Sequence, residues 1–172
     1  MELLERFSRG DLDAFETLFR KFQGVVYRWI IRIVRDPAAA EDLTLETFWR
    51  IYRAHARFDP ARTFEALARR IATHAAIDHL KSIRPAASLE ENPPSEVPAD
   101  PALRREVREG IQRAFSRLPA KLRAVATLAL VEEMPYQEIA EALETSVGTV
   151  KSRVFRATRL LREKLKRLGI EP

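Results

Sequence analysis

Cysteine is missing from this 172-residue chain, which excludes disulfides, thiol nucleophiles and every cysteine-ligated zinc site. Glycine is scarce at five residues, while charged residues reach 32%. That combination argues for helices laced with surface ion pairs rather than sheets with tight turns. Histidine occurs three times, and His74 and His79 are five apart, off the i, i+4 spacing of a helical metal pair. No glycine-rich phosphate loop and no serine-nucleophile motif occurs. The expectation is therefore no catalytic residue, no metal and no cofactor. No stretch of 18 uncharged apolar residues is present, so no membrane span is expected. The opening Met1-Glu-Leu-Leu-Glu-Arg6 is charged within two residues, unlike a signal peptide. These absences predict a soluble, cytoplasmic chain.

What is present is unevenly distributed. Residues 1–84 hold 15 Lys/Arg against 12 Asp/Glu, and residues 102–172 hold 15 against nine. Between them, residues 85–101 hold four acids (Glu90, Glu91, Glu96, Asp100), no base, and five of the ten prolines. Proline lacks an amide hydrogen and biases its predecessor away from helix, so this segment is expected to be an extended linker. A basic unit beside an acidic linker signals a partner, with nucleic acid as the leading candidate and solvated helix faces as the plain alternative.

Helical periodicity dominates both flanks, and no useful alternating strand pattern appears. Before the linker, Asp11 caps a helix with Leu12, Phe15, Leu18, Phe19 and Phe22 on one face, and Gly24 is expected to stop it. Val25 to Val34 forms a second helix. Asp36-Pro37 starts a third, with Leu43, Leu45, Phe48, Trp49, Ile51 and Tyr52 as its apolar positions. Thr63 caps a fourth through Leu80. After the linker come a helix over 102–116, another over 121–131, a short one over Tyr136–Leu143 and a long one over Val147–Leu168. The expected fold is all-α, with two small helical domains (1–84 and 102–172) joined by the linker at 85–101.

Two short helices a few residues apart, the second strongly basic, make the helix-turn-helix pattern. Between Lys151 and Arg167 there are eight bases and one acid, Glu163. That imbalance suits a phosphate backbone through counterion release, or a basic bundle helix with no ligand. Val147, Val150, Val154, Leu161, Leu165 and Leu168 share one face at 100° per residue. Thr149, Ser152 and Arg156 take the opposite face, where side chains meet a major groove. Lys151, Arg153 and Arg159 flank them and reach toward the strands. Phe155 either packs against the preceding domain or touches a thymine methyl or sugar. Tyr136 and Gln137, at the start of the first helix of the pair, either donate to a phosphate or are ordinary surface groups. That first helix carries acids and no bases, so its expected role is support.

The sequence of this pair, Tyr136-Gln-Glu-Ile-Ala-Glu-Ala-Leu143 followed by Ser146-Val-Gly-Thr-Val-Lys-Ser-Arg-Val-Phe-Arg-Ala157, resembles the DNA-binding region of bacterial extracytoplasmic-function (ECF) sigma factors. Leu118-Pro-Ala-Lys-Leu-Arg123 is similar to the segment that precedes it. In the first half, Gly10-Asp-Leu-Asp-Ala-Phe-Glu-Thr-Leu-Phe19 resembles the family's opening. Ala40-Glu-Asp-Leu-Thr-Leu-Glu-Thr-Phe48 resembles its polymerase-binding helix. Ile71-Ala72 and Ala76-Ile-Asp-His-Leu-Lys81 resemble its promoter-reading helix. The resemblance spans about residues 8–167 in order. Leu45, Leu67-Ala68, His74, Lys81 and Glu144 depart from the pattern, Glu144 at a turn position often held by glycine.

The resemblance implies a non-catalytic specificity subunit with core RNA polymerase, promoter DNA and an anti-sigma factor as partners, and a cytoplasmic, nucleoid-associated location. Its first domain would bind the polymerase and capture the melted −10 element, and its second would read the −35 element as duplex. The acidic linker would lie in a basic channel of the enzyme. Polymerase contact then falls to Asp42, Glu46, Phe48 and Arg50; the mixed charges of Asp42, Glu46 and Arg50 also fit plain surface ion pairs. Reading of the −10 element falls to Arg69, Arg70, His74 and Lys81, with Phe58 and Arg62 in the preceding loop. Phe58 either stacks on a splayed base or anchors its loop in the core. The rival reading is a stand-alone helix-turn-helix regulator, which has no need of a first domain with motifs of its own.

Overall fold

The computed structural model describes residues 2–83 and 101–169, and its regular elements are all helical. The first half comprises α1 (Glu2–Ser8), α2 (Leu12–Val34), α3 (Pro37–Arg53), a short 3-10 turn (His55–Arg57) and α4 (Phe64–Ser82). The second comprises α5 (Pro101–Ser116), α6 (Ala120–Ala126) running into a π-helical segment (Thr127–Val131), α7 (Tyr136–Ala142) and α8 (Val147–Arg167). Because α5 begins at Pro101, the helix starts inside the expected linker; proline suits a first helical position, where its missing N–H has no intrahelical partner. The rest of the linker expectation lies outside the described residues.

The caps expected at Asp11, Asp36 and Thr63 form, and Ser146, read from the sequence only as part of a turn, supplies a further one. The Asp11 side chain accepts from the Asp13 and Ala14 amides at 2.9 and 3.1 Å. Its carboxylate also accepts from Arg6 Nε at 2.7 Å, and that bond, followed by the amide bonds, holds its pKa below the ordinary value. Asp36 caps α3 through the Ala38 and Ala39 amides, with Pro37 at the first helical position. Thr63 and Ser146 accept from the Ala66 and Thr149 amides at 3.3 and 3.1 Å.

Gly24 does not stop a helix. It lies inside the 23-residue α2, which merges the two helices expected over 12–34. The actual stop is Arg35, in the left-handed region at φ 61°, whose amide donates to the Ile31 carbonyl. The short α1, unmarked by any periodicity, places a fully buried Phe7 against Phe58 and Phe64, with ring centroids 5.5 and 5.7 Å away in edge-to-face geometry. Gly10 follows α1 at φ +84°, and a Cβ there would meet His55 Nε2 at 3.0 Å, so both backbone and space call for glycine.

The core of the first half combines these rings with Leu18, Val26, Ile30, Ile33, Phe48 and Ile51. On α4 the fully buried residues Ala68, Ala72 and Ala76 bring its backbone close to its neighbours. In the second half, α8 buries Val150, Val154, Ala157 and Leu161. These close one cluster with Phe115, Leu118 and Leu122 and another with Leu128, Met134 and Ile139. The turn between α7 and α8 holds Glu144 at φ 50°, the left-handed conformation that makes glycine cheap at such a position.

The two halves touch. Helix α4 packs against α6 and α7. Ala120, Ala124 and Leu143 join the core of the first half.

Candidate nucleic-acid interface

Helix α8 is fixed from one side only. Ser146 caps it, Val150 is fully buried, and among the described residues none covers the opposite face. Lys151, Ser152, Phe155, Arg156 and Arg159 are exposed there, Arg153 is half-buried, and Thr149 is half-buried with its hydroxyl 2.9 Å from that of Ser146. Phe155 is 70% exposed, which decides between the two readings of it: the ring does not pack against the described part of the preceding domain. An uncovered aromatic flanked by Ser152 and Arg156 forms a surface able to meet base edges and methyl groups. Arg159 lies 3.7 Å from Glu163, an exposed pair that leaves its guanidinium free to exchange partners. Tyr136 and Gln137 are exposed at the start of α7.

The cations of α4 are arranged differently. Arg69 donates to Glu65 on its own helix at 2.9 Å and to Glu138 of α7 at 3.0 Å, and its guanidinium lies 4.8 Å above the Trp29 ring. Arg70 donates to Glu144 at 3.0 Å. His74 Nδ1 donates to the Arg70 carbonyl at 3.0 Å, and its Nε2 lies 4.0 Å from Glu144. Lys81 and Arg62 are exposed. Thus α7 supplies more than support: its Glu138 and Glu144 of the following turn engage α4. Glu132 likewise pairs with Arg32 of α2. Sequence reasoning missed Glu132, Glu138 and Glu144, although the acid-only composition of α7 was the available signal.

Phe58 requires a correction. At 8% exposure it sits in the aromatic core beside Phe7 and Phe64, so its ring anchors the loop and does not stand ready to stack on a base. Phe48 requires the same correction. It is 2% exposed and packs edge-to-face on Phe19 at 4.8 Å, so it cannot touch a partner. Its neighbours on α3 do face outward. Leu45 and Trp49, counted among the apolar positions of this helix, are 61% and 59% exposed. They stand one turn apart beside the exposed Asp42 and Glu46. Arg50 donates to Glu46 at 2.5 Å and lies 3.7 Å from Asp78 of α4. A groove between α2 and α3, lined by Phe19, Gln23, Tyr27, Thr44 and Leu45, borders this strip.

Among the described residues, one buried cation has no acid paired with it. Arg123 of α6 is 6% exposed, and burial, followed by the nearby Arg35 charge, pulls its pKa down to about 10. Among the described residues no cluster of His, Asp and Glu is arranged to hold a metal ion, and no helix is long and apolar enough to cross a membrane.

Comparison with known proteins bears on both halves. Residues 18–85 match the family model for sigma-70 region 2, and residues 108–161 match that for sigma-70 region 4. The chain is 33% identical to the RNA polymerase sigma-H factor of Pseudomonas aeruginosa, over 91% of its own length and 88% of the relative's. It is 30% identical to the ECF RNA polymerase sigma factor SigW of Bacillus subtilis, over 96% of each. In fold it is similar to the sigma factor RpoE of Bartonella quintana, solved in complex with the anti-sigma factor NepR. That likeness has a TM-score of 0.59 at 20% identity, over 88% of this chain and 96% of that one. The region 2 match in the first half disfavours a stand-alone helix-turn-helix regulator.

Proposed function

The chain belongs to the ECF sigma factors, which bind core RNA polymerase and direct promoter-specific transcription initiation, and we propose how its residues divide that work. Helix α8 reads the −35 element. Lys151, Arg153 and Arg159 neutralise phosphates, and Ser152, Phe155 and Arg156 approach base edges, with Thr149, Tyr136 and Gln137 at the margin of the contact. Helix α4 and its preceding loop, through Arg62, Arg69, Arg70, His74 and Lys81, hold the melted −10 strand. The strip Asp42, Leu45, Glu46, Trp49 and Arg50 on α3 meets the polymerase. The factor contributes specificity and no catalysis of its own. An anti-sigma factor restrains it in the cytoplasm, as the complex of its structural relative RpoE with NepR suggests for this chain.

The observation that carries this division is the open face of α8, where a 70% exposed Phe155 stands beside Ser152 and Arg156 while the opposite face is buried. The test is binding of the holoenzyme to single-base promoter variants across a salt series. Lys151→Ala should weaken all variants alike and lower the salt slope by about one. Arg156→Ala should cost roughly 1–3 kcal/mol and relax the preference at one −35 position. Equal weakening of every variant by Arg156→Ala, with base preferences kept, would remove Arg156 from the reading surface.

A further inference from the structure

Three arginines of the first half, Arg9, Arg53 and Arg57, have no role in the −35, −10 or polymerase contacts. Arg9 follows α1, Arg53 is the last residue of α3, and Arg57 ends the 3-10 turn. All three are exposed, and none forms an ion pair or a side-chain hydrogen bond with a described residue. They come from separate elements but share one surface, because the end of α1 is seated on His55. A Cβ at Gly10 would lie 3.0 Å from His55 Nε2. Arg9 precedes Gly10, and Arg53 and Arg57 lie two residues to either side of His55. Beneath them Phe7 and Phe58, with ring centroids 5.5 Å apart, hold the same junction.

The acids of these turns are already engaged. Asp11 accepts from Arg6 and from the amides that open α2, and Asp59 accepts from the Ala61 amide at 2.9 Å. The arginines therefore form a local surplus of positive charge that attracts an anionic partner. Two observations favour a nucleic-acid strand over an acidic protein segment. The first is aromatic. His55 stacks on Tyr52 with centroids 5.5 Å apart and planes 29° apart, and both rings are half-buried, so ring surface accompanies the cations. Cations interleaved with ring faces suit a single strand, in which phosphates alternate with bases. The second is continuity. Arg57 stands five residues before Arg62, on the loop that already belongs to the −10 surface.

Chain order gives the direction in which the strand passes. Helix α4 starts at this loop and ends at Ser82, and the chain then continues to the half that reads the −35 element. The −35 element is upstream of the −10 element, so the C-terminal end of α4 faces upstream and the loop at its N-terminal end faces downstream. We propose that Arg9, Arg53 and Arg57 are a further binding site, which grips phosphates of the melted strand just downstream of the −10 element. The proposal rests on the assignment of the −10 strand to α4 and its loop. Phosphate contacts carry no base information. This site therefore sets how firmly a promoter is held open and not which promoter is chosen.

The test uses holoenzyme and fork templates built on one promoter mapped for this factor. The short fork is duplex through the −35 element and carries the −10 strand as a single-stranded tail; the long fork extends that tail downstream by six nucleotides. The test variant is R9Q/R57Q. The control is R108Q/R113Q, which removes the same charge from exposed positions of α5. Wild type and control should gain about tenfold in affinity from the extension, and R9Q/R57Q should lose most of that gain while binding the short fork normally. On the long fork alone its salt slope should be lower by about 1.4, the value for two single-strand phosphates.

A full gain retained by R9Q/R57Q, or no gain in wild type, would overturn the proposal. Equal weakening on both forks would overturn the downstream placement. Weaker binding to core enzyme without DNA would assign the arginines to an acidic segment of the polymerase instead. Arg70→Ala on the short fork tests the underlying assignment separately. Weaker binding there keeps the −10 strand on α4 whatever R9Q/R57Q does, and unchanged binding removes it.

Discussion

At the scale of single residues, neighbours on one helix have opposite fates. Phe48 and Trp49 differ by 100° around α3. Leu43, Thr47 and Ile51 define the buried arc, so Phe48 enters the core and Trp49 faces outward. Both are aromatic and both continue an apolar pattern, so composition alone cannot separate them; the angular position relative to Ile51 can. The outward pair Leu45 and Trp49, bracketed by Asp42 and Glu46, has the makeup of a docking strip with an apolar centre and a charged rim. Replacing Asp42 and Glu46 together by Lys should weaken binding to core polymerase at least tenfold while leaving the circular dichroism of the chain unchanged. Unaltered affinity in a fluorescence titration would remove this strip from the polymerase contact. Phe58 followed the logic of Phe48. Its loop is short of other apolar anchors, and the aromatic cluster built by Phe7 and Phe64 takes it inward.

At the scale of elements, local chemistry was the most legible part of the sequence. Asp11, Asp36 and Thr63 each accept an amide hydrogen at the helix start where they were expected, because a cap depends on two or three consecutive residues and little else, and Ser146 does the same at the start of α8. Replacing Ser146 by Ala should therefore cost about 1 kcal/mol in a denaturant titration. What local chemistry could not reveal was the continuity of α2. Gly24 reads as a stop, but the apolar faces on either side of it pack on the same core and carry the helix through. A Cβ at Gly24 would meet only Arg28 Nη1, at 3.8 Å, an ordinary contact. Gly24→Ala should thus stabilise the protein by about 0.5–1 kcal/mol, since glycine in a helix interior carries excess backbone freedom. A loss of stability would mean that residue 24 needs a conformation that alanine resists. The seven-residue α1 and the π-helical turn at Thr127–Val131 were equally invisible. The first is too short to show a period, and the second differs from an α-helix only in hydrogen-bond register.

At the scale of the whole molecule, the sequence conveyed the all-helical class, the helix-turn-helix and the order of motifs. It did not convey that the halves touch, because contacts between Arg69 and Glu138 or Arg70 and Glu144 span about 70 residues and leave no periodic trace. The acid-only α7 fits once its partner is known to be the cationic α4. The central claim is that this chain confers promoter specificity on polymerase, and run-off transcription tests it most directly. Core RNA polymerase with and without the chain is supplied with a pool of promoter fragments from its own genome, and transcripts are sized and mapped. The expected result is a discrete set of start sites that appears only with the chain, shares one −35 and one −10 sequence, and is lost with Lys151→Ala/Arg156→Ala. Binding of the chain to the same duplexes without any chain-dependent start site from core enzyme would contradict it.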